Sequence, residues 1–239
     1  MGLADLHMHT TASDGMMSPA MLLNYVSACT PLDTVAITDH NTLEGWEMAI
    51  EFQQSEVNDQ LMEIDIIKGL EVSSSDGHVI GLFIDELIPR DLSAEETVIA
   101  IHEQSGLALA PHPYAWLPGL PEFKGVGDLF LSLPFDAVET RNSTPTELLN
   151  NHLTTRRNKQ RHSSLPEYGG SDAHFLWAVA RTHTVYPGKG IQDLRSALVN
   201  GTTRSQGTPW GPISLAEYFS DKWKWQRYCK NNNVQLHDL

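Results

Sequence analysis

Cysteine is nearly absent. Cys29 and Cys229 are the only two in 239 residues, and they lie far apart with no CxxC spacing. That excludes a disulfide framework and a thiolate zinc site, so any bound metal must rest on nitrogen and oxygen. Long apolar runs are missing too, and with them a membrane-spanning helix. The start, Met1-Gly2-Leu3-Ala4-Asp5, meets an acid where a secretory leader needs a basic and then an apolar stretch, so a cytoplasmic protein is expected. Positive charge is scarce: 16 Lys and Arg against 30 Asp and Glu leave a formal net charge of −14. Such a surface repels long duplex nucleic acid. Bound cations invert that balance locally, so a small anionic partner remains compatible with the composition.

What the chain does have is an alternation of short Val- and Ile-rich segments with helical patterns. Strands are expected at residues 4–9, 34–40, 65–73, 78–84, 107–112, 137–142, 168–174 and 182–186. Ser18-Pro19 supplies an N-cap and a first-turn proline for a helix reaching about Thr30. Ser93 and Glu96 form a capping box, and Gly106 ends that helix. Thr144-Pro145 opens a helix towards Lys159, and residues 191–200 form another that stops at Gly201. The alternation predicts one α/β domain with a mostly parallel, barrel-like sheet covered by helices. Residues 1–205 form that domain in this reading. Residues 206–239 form a helical extension, with a last helix over 214–229 docked through Trp223 and Trp225.

The chemically active residues cluster at strand ends. His7, His9, Asp39, His40, Glu71, His112, Asp172 and His174 fall at or near the C-terminal ends of expected strands, the end where parallel barrels collect catalytic groups. His78 instead starts its strand, just after the Ser74–Gly77 turn. In Asp5-Leu6-His7-Met8-His9 the two imidazoles are two apart and face one side. Asp172 and His174 repeat that spacing. Asp14 sits in the following turn, in Ser13-Asp14-Gly15. Asp39 and His40 are neighbours facing opposite ways, so His40 is read as a ligand and Asp39 as its supporting outer partner. Glu71, in Gly69-Leu70-Glu71-Val72-Ser73, is costly to bury unless cations accompany it, and a bridging place between two ions meets that need. Two prolines stiffen the backbone around His112 in Ala110-Pro111-His112-Pro113. Imidazoles and carboxylates without thiolate suit zinc, manganese or iron.

The order of these motifs resembles the PHP family, the polymerase and histidinol phosphatase superfamily. The matching pieces are DLHMHTTASDG at residues 5–15, ITDHNT at 37–42, GLEVS at 69–73, GHVIGL at 77–82, HP at 112–113 and GSDAH at 170–174. The resemblance spans the chain to about Gly201. It implies a distorted (β/α)7 barrel holding two or three divalent ions. One ion would take His7, His9, Glu71 and Asp172. A second would share Glu71 and add His78 and His112. A third would take Asp14, His40 and His174. It also implies a phosphoesterase, in which the ions lower the pKa of a water to about 7 and supply the attacking hydroxide. Substrates among relatives range from small phosphomonoesters to nucleotides and oligonucleotide ends. The short interval between His78 and His112 leaves no room for a large capping insertion, which favours the nucleotide end of that range.

Other features carry open readings. Arg141, ending Val138-Glu139-Thr140-Arg141-Asn142, either clamps a substrate phosphate or pairs with an acid such as Glu139. The basic run from Arg156 to Arg161 either complements a helix end or receives further phosphates. The stretch after His112-Pro113, with Tyr114, Trp116, Pro118, Gly119 and Phe123, reads as an irregular specificity loop or lid in which Trp116 either stacks on a base or caps the core. Two rival functions remain: an amidohydrolase-type metal enzyme, which would use a mid-barrel lysine, and a non-catalytic metal-bound regulatory module.

Overall fold

Strand β1 (Gly2–Asp5) lies at the centre of the architecture because its residues are almost all buried. The computed structural model describes residues 1–55, 63–117, 120–210 and 227. After β1 come α1 (Pro19–Cys29), β2 (Thr34–Ile37), α2 (Glu44–Gln54), β3 (Asp65–Ser73) and β4 (His78–Leu82). Then follow α3 (Ala94–Glu103), β5 (Leu107–Ala110), a small hairpin of β6 (Trp116–Leu117) and β7 (Leu120–Lys124), and β8 (Ala137–Asn142). The last elements are α4 (Leu148–Lys159), β9 (Glu167–Gly170), β10 (Thr182–Tyr186), α5 (Gly190–Val199) and β11 (Arg204–Gly207). The expected helix over 214–229, with Trp223 and Trp225, lies outside the described residues. No described helix is long and apolar enough to cross a membrane.

The main sheet has nine strands in the order β11-β10-β1-β2-β3-β4-β5-β8-β9. Its ends nearly meet, giving an α/β barrel-like sheet. At the seam Thr184 Oγ1 donates to the Gly169 carbonyl (2.9 Å) and Thr182 Oγ1 to that of Gly170 (2.5 Å). The approach needs glycine, since a Cβ on Gly169 would sit 2.6 Å from the His183 carbonyl oxygen. One apolar cluster draws on every strand of the sheet except β11, from Ala4, Ala36 and Ile67 to Tyr168 and Tyr186, and on Leu194 and Leu198 of α5. Two further clusters pack α1 and α2 against one part of the sheet and α3 against another.

The sheet is less parallel than expected. The β1–β2, β2–β3, β5–β8 and β8–β9 pairs are parallel, while β3–β4, β4–β5, β1–β10 and β10–β11 are antiparallel. The cause at β3–β4 is local. Ser74 Oγ accepts from the Asp76 and Gly77 amides, and Gly77 takes φ +144°, a tight reversal that sends β4 straight back. His78 therefore stands opposite Ser73, at the same end as the C-terminus of β3.

Helix signals in the sequence act as read. The Ser18 side chain accepts from the Met21 amide with Pro19 behind it, and Ser93 and Glu96 close a reciprocal box. Thr144-Pro145 instead begins a 3₁₀ turn (Pro145–Glu147) that continues into α4.

Candidate metal centre

Glu71 is the hub of the site. Its carboxylate is 1% exposed at the end of β3, and five imidazoles converge on it. Oε2 lies 3.1 Å from His7 Nε2, 3.2 Å from His9 Nε2 and 3.5 Å from His40 Nδ1. Oε1 lies 2.9 Å from His78 Nδ1 and 3.1 Å from His112 Nε2. Asp172 adds a second carboxylate, with Oδ1 3.3 Å from His9 Nε2 and 3.5 Å from His7 Nε2. Asp14 faces His174 Nε2 at 3.1 Å and His40 Nε2 at 3.8 Å. The nine residues singled out by sequence all fall into four overlapping groups able to hold an ion. These are His7–His9–Asp172, His7–Glu71–His112, His40–Glu71–His78, and His9–Asp14–His40–His174. The last is the most open, since the Asp14 side chain is 49% exposed against 1% for Glu71.

Backbone geometry aims these side chains. β1 ends at Asp5, and His7-Met8-His9 continue extended beyond it, with Met8 bridged to Ala173 and buried the other way in the core. Likewise β2, β5 and β9 stop short of His40, His112 and Asp172, so these side chains project from strand ends. His112 (φ +23°) and Asp172 (φ +54°) adopt left-handed backbone that side chains rarely take, a strain characteristic of functional positions. Asp39, 1% exposed, turns away from the imidazoles and fixes the loop that carries Asp14. It accepts from the Thr10 amide (2.7 Å), Thr10 Oγ1 (2.8 Å) and Ser13 Oγ (2.6 Å).

Two acids that the sequence reading left out support the cluster. Glu139 is 1% exposed and accepts from His7 Nδ1 (3.1 Å), the His112 amide (2.8 Å) and Asn142 Nδ2 (3.0 Å). A carboxylate behind an imidazole fixes its tautomer and sharpens the outward nitrogen as a ligand. Asp5 lies deeper, accepting from the Ser171 and Ala180 amides, and burial pushes its pKa up to about 6. The only sequence signal for either was a carboxylate within an apolar strand, the same signal that exposed Glu71.

Arg141 is a correction. A bulge between Glu139 and Arg141 keeps Glu139 and Asn142 facing inward and leaves Arg141 exposed, donating to the Gly207 carbonyl at 3.3 Å. It does not line the cavity over the cluster. Two arginines of the basic run are likewise committed elsewhere. Arg157 Nη2 pairs with Asp128 at 2.6 Å, and Arg161 Nε donates to the Leu131 carbonyl at 3.0 Å.

Electrostatically the cluster demands cations. Burial opposes ionisation of Glu71 and Asp172, yet the surrounding imidazoles hold both well below the usual carboxylate range. Burial alone would depress His9 and His112, but neighbouring Asp172 and Glu71 raise His9 to about 10, and Glu71 raises His112 to about 9. His40 falls to about 4, chiefly through burial. Five buried ring nitrogens, on His9, His40, His78 and His112, have no hydrogen bond among the described residues, and those of His9, His40 and His78 have carboxylates close by. Unpaired buried nitrogens around anionic oxygens are what an N/O-ligated divalent ion satisfies, so the donor set fits metal.

The comparisons with known proteins point the same way. A family model described as PHP-associated matches residues 158–203. An uncharacterized protein of Methanocaldococcus jannaschii is 35% identical over 165 residues, covering 64% of this chain and 90% of its own. The 5'-3' exoribonuclease Rnm of Salmonella typhimurium is 36% identical over 99 residues, 39% of this chain and 32% of its own. A crystal structure of a two-domain protein from Bacteroides vulgatus, containing a predicted PHP-like metal-dependent phosphoesterase, superposes with a TM-score of 0.61 at 20% identity. That match covers 92% of this chain and 69% of the other.

The chain belongs to the PHP family. The PHP motifs are therefore not scattered sequence signals here: the fold gathers them at one end of the barrel. The match to Rnm spans about a third of that protein's length.

Above the cluster opens a cavity of about 380 Å³. Met16, Trp116, Phe175, Ala178 and Trp210 give it an apolar wall, while its charged lining consists of acids and imidazoles. Trp116 is 72% exposed at the rim. Glu147, buried beside it, has its carboxyl raised by burial and is met by Asn150 Nδ2 at 3.2 Å.

Proposed function

We propose that this PHP protein is a metal-dependent phosphoesterase that hydrolyses a phosphate ester of a nucleotide, an oligonucleotide end or a small phosphomonoester at a site of two or three divalent ions. The observation that carries this reading is the buried Glu71 carboxylate with five imidazoles converging on its two oxygens. His7, His9 and Asp172 would hold one ion, His78 and His112 a second, with Glu71 shared. Asp14, His40 and His174 would hold a third. Bound divalent ions supply an activated water and neutralise charge developing on the phosphoryl oxygens.

The chain's own residues do the rest. Glu139 holds His7 by Nδ1 and the His112 backbone by its amide. Asp39 anchors the Asp14 loop through Ser13 and Thr10. Among the described residues no lysine or arginine lines the cavity over the cluster, so charge compensation of the reacting phosphate there falls to the cation site. The wall of Trp116, Phe175 and Trp210 offers flat apolar faces to the organic part of the ester and keeps water from it. An amidohydrolase reading is disfavoured because Lys68, the only lysine of β3, donates to the Asp85 carbonyl (2.6 Å) away from the cluster.

The test compares manganese-loaded and chelated protein on p-nitrophenyl phosphate, nucleoside monophosphates, short oligonucleotides and generic amides. Metal-dependent release of phosphate or nucleotide is expected, with amides untouched. Turnover of amides alone, or of nothing in the panel, would end the phosphoesterase reading.

Metal loading should also release protons. His9 and His112, with pKa values of about 10 and 9, carry protons at pH 7 in the metal-free protein, and an imidazole must be neutral to ligate. Affinity should therefore rise as pH climbs from 6 towards 9. Calorimetric titration in buffers of differing ionisation enthalpy reads the number released. Loading with no proton release at pH 7 would show that the histidines are not the ligands.

A further inference from the structure

The metal cluster has a second cavity on its other flank, of about 490 Å³. The two share Asp14, His40 and His78 but differ in chemistry. Ser73, Ser74 and Ser75 line the second, and it contains the cations missing from the first, Arg90 and Lys124. We propose that this hydroxyl-lined cleft is a subsite for a second phosphate of the substrate, beside the one being cleaved. This rests on the phosphoesterase reading and specifies its substrate as an ester carrying at least two phosphates.

The local fold builds the cleft. The end of β7 docks on the β3–β4 turn: His78 bridges Gly125, and a Cβ on Gly77 would lie 2.5 Å from the Gly125 carbonyl carbon. That contact sets Lys124, next to Gly125, at the cleft. The Lys124 side chain is exposed, and its ammonium makes no ion pair or hydrogen bond among the described residues. Arg90 Nε pairs with Asp91 at 3.1 Å, which leaves both terminal guanidinium nitrogens uncommitted among the described residues. The Ser75 hydroxyl has no partner among the described residues either. Ammonium, guanidinium and hydroxyl groups are the donors that phosphate oxygens take. The opposite cavity, walled by aromatics and without a cation among the described residues, suits a base or another flat organic group. The cluster between the two would then face an ester flanked by an organic group and a further phosphate. Arg157 and Arg161 cannot serve this purpose, being tied to Asp128 and Leu131.

The test uses the whole protein with Lys124→Ala, Arg90→Ala and the double change. Substrates are p-nitrophenyl phosphate and a nucleoside 5′-monophosphate, with one phosphate each, and a 5′-phosphorylated dinucleotide, with two. For the two-phosphate substrate the single changes should raise KM about tenfold, and the double change more, with kcat nearly unchanged. One-phosphate substrates should be unaffected within about twofold. Lys124→Arg should retain the preference. A separate arm needs no turnover: equilibrium dialysis of the metal-free protein against the dinucleotide and the monophosphate. Tighter binding of the dinucleotide, lost in the double variant and weakened by salt, is expected. Equal losses on all substrates, or none on any, would overturn the subsite. If the wild type hydrolyses no phosphate ester, the phosphoesterase reading fails, and the dialysis arm still decides whether the cleft binds phosphate.

Discussion

Glu71→Gln should leave a folded protein that holds at most one ion per chain and has lost about a thousandfold or more in kcat/KM on any phosphate ester. The change keeps the volume and removes only the charge that sits between five imidazoles. Both Glu71 oxygens have histidines within 3.2 Å, so no other residue can hold two ions together from that position. The histidines lose an anionic neighbour, so their protons leave more easily and the apo cluster stays tolerable. That separates this variant from a simple folding defect. Elemental analysis after manganese loading, with circular dichroism as the control, reads the result. Full metal content in Glu71→Gln would refute the shared-carboxylate role.

Glu139→Gln should cost about 10- to 100-fold in metal affinity or activity, although Glu139 belongs to none of the four candidate ion groups. Its carboxylate accepts from His7 Nδ1 and the His112 amide. An amide can still accept one of these bonds, but it no longer stabilises positive charge building on His7. The expected signature is a weaker metal dissociation constant, with turnover largely restored at saturating metal. A purely structural role would instead lower thermal stability without changing the metal concentration needed for half-activity.

Much of the candidate site was legible in the sequence because its residues mark themselves by position. A carboxylate or imidazole at the end of an apolar segment has no cheap structural explanation, and eight such residues recur in order, with Asp14 and His78 beside turns. β3, β8 and β10 match their expected bounds at both ends. Other features were hidden for physical reasons. α2 lacks a side-chain cap and carries Gly45 in its first turn, where a Cβ would sit 1.9 Å from Asp39 Oδ2. The glycine that the site requires is the one that erases the helix signal. β11, Arg204-Ser205-Gln206-Gly207, alternates between exposed and half-buried and shows no apolar run. Arg141 misled because period-two alternation says nothing of a bulge, and one extra residue turned it outward. Glu139 was hidden by the same arginine, since an adjacent acid and base read as an ordinary pair.

The spread of the donors along the chain also bears on how the molecule is put together. His7 and His9 follow the first strand, while Asp172 and His174 come after the ninth, and the two ends meet at Met8 and Ala173. An ion gripped by both ends would be a cross-link closing a loop of more than half the polypeptide. By the entropy of loop closure, so long a loop is where a clasp restrains the unfolded chain most. During synthesis the clasp cannot shut until residue 174 has left the ribosome. Metal uptake would then be a late act of assembly, and chelation should loosen the seam between the first strand and the ninth before it disturbs the helices outside.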